Sequence, residues 1–272
     1  MVRAQVGYLN PEWKDRGQRP KILSGATRRA NTSPRGMEIE DARPLHEKGA
    51  LDLDRNGFIL VRHRTSVQDF RDTQEVRQKY FPEMAELLRR VAGADEVFTH
   101  SYYQLRSEDP ENFLNAYSLY VHCDYADRLS DHLTRGLLRE HDSPLANGAE
   151  GWRFAWYNLW RPIEREVQKR PLTIMDASTL DPADVVEYYP AEGGEDMVAS
   201  LPVYNEKQRL YYFPRMQTDE LLLFKQLDSD PGRSQVCPHT SFDDPDATAD
   251  ALERRSIELR MMCAFAPGRR AG

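Results

Sequence analysis

No run of apolar residues in the chain approaches the roughly 20 needed to cross a bilayer as a helix, which argues against a membrane-spanning helical protein. The N-terminus lacks the apolar core of a secretory signal, so a cytoplasmic location is expected. Cysteine is scarce. Cys123, Cys237 and Cys263 are odd in number and widely spaced, which speaks against a disulfide framework and suits reduced thiols. An excess of positive charge is also missing: a net charge of −7 leaves no footprint for nucleic acid. No internal repeat, low-complexity tract or linker divides the chain. Its 272 residues are enough for one large domain with a well-buried core.

The charge is unevenly spread. Residues 1–36 hold eight Lys and Arg against Glu12 and Asp15, a local net of +6, which leaves −13 on the remainder. Together with the Pro, Gly, Arg and Asn of residues 10–36, this predicts a flexible basic N-terminal arm over 1–36 and a single domain over 37–272. The arm could meet an acidic partner, or close as a flap with Tyr8, Leu9 and Trp13 docked on the body.

Helices are expected early. Met84, Leu87, Leu88 and Val91 recur at helical spacing within 67–92, and Leu129, Leu133 and Leu137 within about 126–140. Asp54-Arg55-Asn56-Gly57 signals a turn before a short strand at Phe58 to Val61. Val97 to Leu105 and Asn115 to Val121 also read as strands. From residue 152 the chain turns β-rich, with strands expected at Phe154 to Trp160, Leu172 to Asp176, Val198 to Val203, Leu210 to Phe213, Leu221 to Leu227 and Ile257 to Phe265. Asp181-Pro182 has the form of a helix cap followed by proline at the first helical position. The expected fold is mainly β with flanking helices: a double-stranded β-helix, the cupin-like jelly roll.

The candidate chemistry begins at His122-Cys123-Asp124. Strand alternation puts Tyr120, His122 and Asp124 on one side and Cys123 on the other. A second histidine, His239, follows 115 residues after Asp124. Two imidazoles and one carboxylate can close on one face of Fe(II) and leave positions open for a cosubstrate and dioxygen. With seven histidines and about one residue in six acidic, roughly one His-x-Asp/Glu arises by chance, so the pair alone decides nothing. Its context does more. Arg254-Arg255-Ser256 leads into the last apolar strand, where Arg254 and Ser256 share a face. A guanidinium fork plus a hydroxyl can grip the distal carboxylate of 2-oxoglutarate. Arg260 has the same parity and is a rival anchor. Arg161, in an apolar strand with Asn158 and Trp160, and Lys225, at the end of Leu221 to Phe224, are further candidates. Their structural alternatives are an ion pair for Arg161, to Asp176 for instance, and an edge-protecting role for Lys225. Arg254 and Arg260 could instead pair with Glu253 and Glu258 at the surface. His100 and Tyr102 share strand parity and either line the pocket or sit in the core. A zinc site built on Cys123 and Cys237 is disfavoured, because structural zinc sites bring cysteines in closely spaced pairs.

Several blocks together resemble a hydroxylase/desaturase family of fungal and bacterial secondary metabolism, related to cephem methoxylases. They include Met37-Glu38-Ile39-Glu40-Asp41-Ala42-Arg43, His122-Cys123-Asp124-Tyr125, Asn158-Leu159-Trp160-Arg161-Pro162-Ile163, Glu220 to Ser229, Pro238-His239-Thr240-Ser241-Phe242 and Arg254 to Arg260. The resemblance runs from about residue 37 to 266. It implies a jelly-roll oxygenase dependent on Fe(II), 2-oxoglutarate and O2, with His122, Asp124 and His239 as ligands, that hydroxylates, desaturates or cyclises a small natural-product or amino-acid-like molecule. Arg255 departs from the pattern, which implies an acidic residue there. Two other functions stay open: a cupin-like metal enzyme that does not use 2-oxoglutarate, and a non-catalytic jelly roll that binds a small molecule. A second copy in a homodimer is a further partner left open.

Overall fold

The computed structural model describes residues 1–107, 118–191 and 198–268. Among these, the strands are β1 (Val2–Leu9), β2 (Thr32–Asp41), β3 (Phe58–Arg62), β4 (Glu96–Arg106), β5 (Arg153–Pro162), β6 (Leu172–Met175), β7 (Val185–Tyr188), β8 (Ala199–Pro202), β9 (Leu210–Tyr212), β10 (Glu220–Asp228), β11 (His239–Ser241) and β12 (Ser256–Phe265). The helices are α1 (Gly25–Asn31), α2 (Arg43–Glu47), α3 (Thr73–Glu75), α4 (Phe81–Ala92) and α5 (Ser130–Glu140), with short 3-10 turns besides.

Two five-stranded sheets build the jelly roll. One has the order β1-β2-β9-β6-β11, the other β3-β10-β5-β12-β4, and β7 and β8 form a separate hairpin. The space between the sheets is filled by Phe58, Leu60, Trp160, Leu172, Ile174, Phe213, Leu222 and Phe224. The alternate residues of the second sheet, among them Leu159, Leu221, Leu223, Ile257, Leu259 and Met261, face outward. They are covered by Met84, Leu87 and Leu88 of α4. This two-sided burial explains why β5, β10 and β12 read as near-continuous apolar runs.

The helical expectation over 67–92 is met from Thr73 onward, after Asp72 caps the chain by accepting from Gln74 N and Glu75 N. Val76–Tyr80 widens into a π turn, with Phe81 N donating to Val76 O. That widening accommodates Pro82, which has no N–H and would crowd the carbonyl four residues back. Gly93, at φ 68°, closes α4 in the left-handed conformation. Of the expected strand over Asn115 to Val121, residues 115–117 lie outside the described residues. The rest is no regular strand: Tyr120, His122 and Cys123 make isolated bridges to Gly7, His239 and Ser200. Asp181 caps a single 3-10 turn, Pro182–Asp184.

The N-terminal expectation needs correction. Val2–Leu9 pairs in register with Thr32–Ile39, so neither the start nor the end of the expected arm hangs free. Val2, Ala4, Val6 and Tyr8 are buried at period two, and of the basic residues that suggested an arm Arg3 sits between them, Arg28 and Arg29 on α1 and Arg35 on β2, with the rest in the segment that joins β1 to α1. This strand also braces the candidate site. Gly7 N donates to Leu119 O and Val121 N to Gly7 O, just ahead of His122. A Cβ on Gly7 would lie 2.9 Å from Leu119 O, so only glycine allows this approach.

Candidate metal centre

His122 leaves the Gly7-braced segment and pairs with His239, the first residue of β11, through both backbone bonds: His122 N to His239 O at 3.1 Å and His239 N to His122 O at 2.9 Å. An antiparallel bridge therefore sets two distant histidines side by side, with ring centroids 4.4 Å apart. Asp124 follows one alternation later and turns the same way. One donor atom each from His122, Asp124 and His239 lies within 4.8 Å of the others, and no other such group occurs among the described residues.

The histidine tautomers follow from their partners. His122 Nδ1 lies 3.0 Å from Tyr120 O and His239 Nδ1 3.3 Å from Cys237 O. A carbonyl only accepts, so Nδ1 donates in each ring and Nε2 keeps its lone pair. Those Nε2 atoms lie 3.9 and 4.0 Å from the two oxygens of Asp124. Two imidazole lone pairs and an ionised carboxylate facing one point suit Fe(II) or a similar divalent ion. Cys123 and Cys237 do not join them: neither thiol is among the donor atoms that converge, and in the metal-free protein burial raises both.

Protonation favours the same state. Burial, and then the neighbouring His239, push His122 down to about 4, and burial also lowers His239. Burial alone would raise Asp124, but Arg260 and the two imidazoles hold its carboxyl well below the usual carboxylate range. All three groups are thus ready as ligands at neutral pH. A stability effect follows. An unfolded histidine takes up its proton near pH 6.5, whereas His122 in the fold does so only near pH 4. Between those values the unfolded chain binds more protons, so acidification favours it. The metal-free protein should lose on the order of 3 kcal/mol from this group between pH 7 and pH 4. Urea midpoints measured across that range should fall with pH, and more shallowly for His122→Gln. Equal slopes would refute the assignment.

Arg254 and Ser256 lie 15 and 17 residues past His239, just before and at the start of β12. Arg254 is buried over the Trp160 ring at 5.1 Å and donates to Ser241 Oγ at 3.0 Å and Arg170 O at 2.6 Å. Ser241 is two residues past His239 on β11, so both point into the space between the sheets. Ser256 Oγ is buried without a hydrogen-bond partner, an orphaned group where a ligand carboxylate would be welcome. Of the surface pairings weighed for these arginines, Glu253 instead meets Lys169 at 2.5 Å, while Glu258 does lie 3.3 Å from Arg260. Arg255 pairs with Glu164 at 2.5 Å, on the other parity from Arg254 and Ser256.

The remaining candidates separate. Arg260 points at Asp124, with Nη2 2.7 Å from Oδ1. Arg161 and Lys225 are not brought to the triad, and as anchors they are corrected. Both occupy the face of the second sheet that packs against the helices, opposite in parity to Asn158 and Phe224. Arg161 donates to Thr218 O beside Tyr80, not to Asp176. Lys225, fully buried and on a central strand instead of an edge, is held by Asp54 at 2.8 Å and Asp228 at 2.7 Å. Burial, and then the nearby Arg260, lower the pKa of His100, whereas Tyr102 is exposed. Two contributors escaped the sequence reading. Ser241 is one. Gln226 is the other: its Oε1 accepts from Asp124 N at 3.0 Å and its Nε2 donates to Cys237 O at 3.1 Å, tying the two ligand-bearing segments together. Its signal was a lone amide in the apolar run Leu221 to Leu227.

The family model described as "Oxidoreductase/YMDC permease-like domain" matches residues 7–264. Curated relatives include the Fe(II)/2-oxoglutarate-dependent dioxygenase nvfI of Aspergillus novofumigatus, 30% identical over 85% of this chain and 84% of its own. Another is the hydroxylase/desaturase CTB9 of Cercospora beticola, 32% identical over 83% of this chain and 76% of its own. Among solved structures, the iron and alpha-ketoglutarate-dependent endoperoxidase NvfI is 27% identical and superposes with a TM-score of 0.81, covering 97% of this chain and 98% of that one.

Proposed function

This chain belongs to the Oxidoreductase/YMDC permease-like domain family and is an Fe(II)/2-oxoglutarate-dependent oxygenase of natural-product chemistry, and from that premise we propose which of its residues do the work. His122, Asp124 and His239 hold the iron through two Nε2 atoms and a carboxylate oxygen. Arg254 and Ser256, with Ser241 behind them, take the distal carboxylate of 2-oxoglutarate. The observation that supports this most is the convergence of three donors within 4.8 Å beside a buried arginine and an orphaned serine hydroxyl.

When bound, iron and 2-oxoglutarate supply an oxidant that removes hydrogen from a C–H bond, at the expense of O2 and with release of succinate and CO2. The chain's own part is binding, aim and exclusion of water. The Nδ1–H groups of His122 and His239 donate to backbone carbonyls and keep both rings turned inward. Arg254 offers a planar fork to the distal carboxylate, so the keto-acid end is directed toward the ligands on β11 and the His122 segment. Phe224, 4.8 Å from the His239 ring, and Trp160 wall the site with apolar surface. The substrate is a small molecule. We read hydroxylation, desaturation and ring closure as outcomes of where its C–H bond is held. The buried free thiols fit a reducing, cytoplasmic setting.

The test is reconstitution with Fe(II) under nitrogen, then 2-oxoglutarate and air, with succinate and CO2 quantified. Succinate above the metal-free control is expected, even without the natural substrate. Iron binding with no succinate would instead support the cupin-like alternative that does not use 2-oxoglutarate.

A further inference from the structure

Asp124 is the one ligand of the three whose geometry the backbone does not settle, since a carboxylate can rotate and present either oxygen or both. Here each oxygen already meets a donor. Asn158 Nδ2 donates to Oδ2 at 2.5 Å, and Arg260 Nη2 donates to Oδ1 at 2.7 Å. The two donors are direct cross-strand partners, Arg260 on β12 opposite Asn158 on β5. Their spacing is therefore set by the sheet and not by two independent side chains. Arg260 is held in turn by Glu258 Oε1 at 3.3 Å and by the face of the Tyr125 ring at 5.4 Å. A guanidinium occupied this way points at the ligand carboxylate and not at Ser256.

We propose that Arg260, with Asn158 as its cross-strand partner, is a positioning residue that locks the rotation of Asp124 and so fixes how the carboxylate meets the metal, and that it is not a 2-oxoglutarate anchor. The proposal rests on Asp124 being a ligand, as argued above. The sheet supplies a rigid two-pronged clamp, each prong takes one lone pair, and the lone pairs left over face the histidines. A carboxylate without the clamp can swing or bind through both oxygens, at the expense of the positions a cosubstrate needs.

The test uses Co(II), whose visible spectrum reports ligand number and geometry without oxygen chemistry. Arg260→Gln should weaken Co(II) binding by about 10–100-fold and change the spectrum. Arg260→Lys, which keeps a charge and a donor, should recover most of the affinity, and Asn158→Ala should shift both readouts more weakly in the same direction. The 2-oxoglutarate affinity of each variant, at saturating Co(II), should stay within about threefold of the parent. If Arg260→Gln does not fold, the lysine and Asn158 variants carry the test. Parent-like cobalt affinity and spectrum in these variants overturn the proposal, as does a selective loss of 2-oxoglutarate binding, which would make Arg260 an anchor. A parent whose cobalt binding does not depend on His122 overturns both this proposal and the metal assignment beneath it. The two failures are thus told apart.

Discussion

His122→Ala and His239→Ala should each abolish functional iron binding, lowering Fe(II) affinity by on the order of 10³-fold or more, since loss even of an outer partner costs about 10–100-fold. Each imidazole supplies one of only three protein donors, and the donor set of the described residues offers no replacement within reach. Cys123 and Cys237 are close in sequence, but neither thiol is among the donor atoms that converge. The effect should also appear as stability. A ligand at 100 times its Kd stabilises the fold by about 2.7 kcal/mol, so Fe(II) under nitrogen should raise the parent's melting temperature and leave both variants unmoved. His239 carries an extra cost, because its ring packs against Phe224 and its removal leaves a buried void. The comparison should therefore be made on each variant with and without metal. Iron affinity equal to the parent's in both variants would end the assignment.

Arg254→Ala should weaken 2-oxoglutarate binding by roughly 10²–10³-fold while leaving Fe(II) affinity near the parent's, because truncating one partner of a buried charge pair costs about 2–5 kcal/mol. Titration of 2-oxoglutarate into the metal-loaded protein under nitrogen checks both halves. Arg254→Lys should retain part of the affinity, since it keeps the charge and loses the fork. Arg161→Ala and Lys225→Ala, where they fold, should bind 2-oxoglutarate like the parent, because their side chains sit on the helix-covered face of the sheet. An unchanged constant for Arg254→Ala, or a large loss at Lys225→Ala, would move the anchor elsewhere.

These contrasts show where the sequence stopped being readable. Arg161, Lys225, Arg254 and Arg260 are four basic residues in or beside apolar strands, and nothing local ranks them. Parity separates Arg161 from Asn158, but parity does not say which face is the inside of the roll. The covering of one face by α4 decides that, and α4 is distant in the chain. The N-terminal strand misled for a related reason. Its apolar residues alternate at period two, but basic charge dominates the segment that follows it, and its partner Thr32–Asp41 begins 23 residues after Leu9. Gln226 and Ser241 take no role from the sequence alone, because their meaning lies in what they touch.

The sequence by itself determined the chemistry on offer and most of the strands. Donor atoms are properties of residue type, His-x-Asp spacing alone brings two of them to one side, and apolar runs report burial wherever they end up. Only the tertiary structure decided that His239 meets Asp124 across 115 residues by pairing with the backbone of His122, and that Arg254 reaches Ser241 while Arg260 grips Asp124. The reason is physical. Ligation and anchoring depend on ångström-scale convergence of side chains from different strands, and that convergence is set by how the two sheets pair and stack.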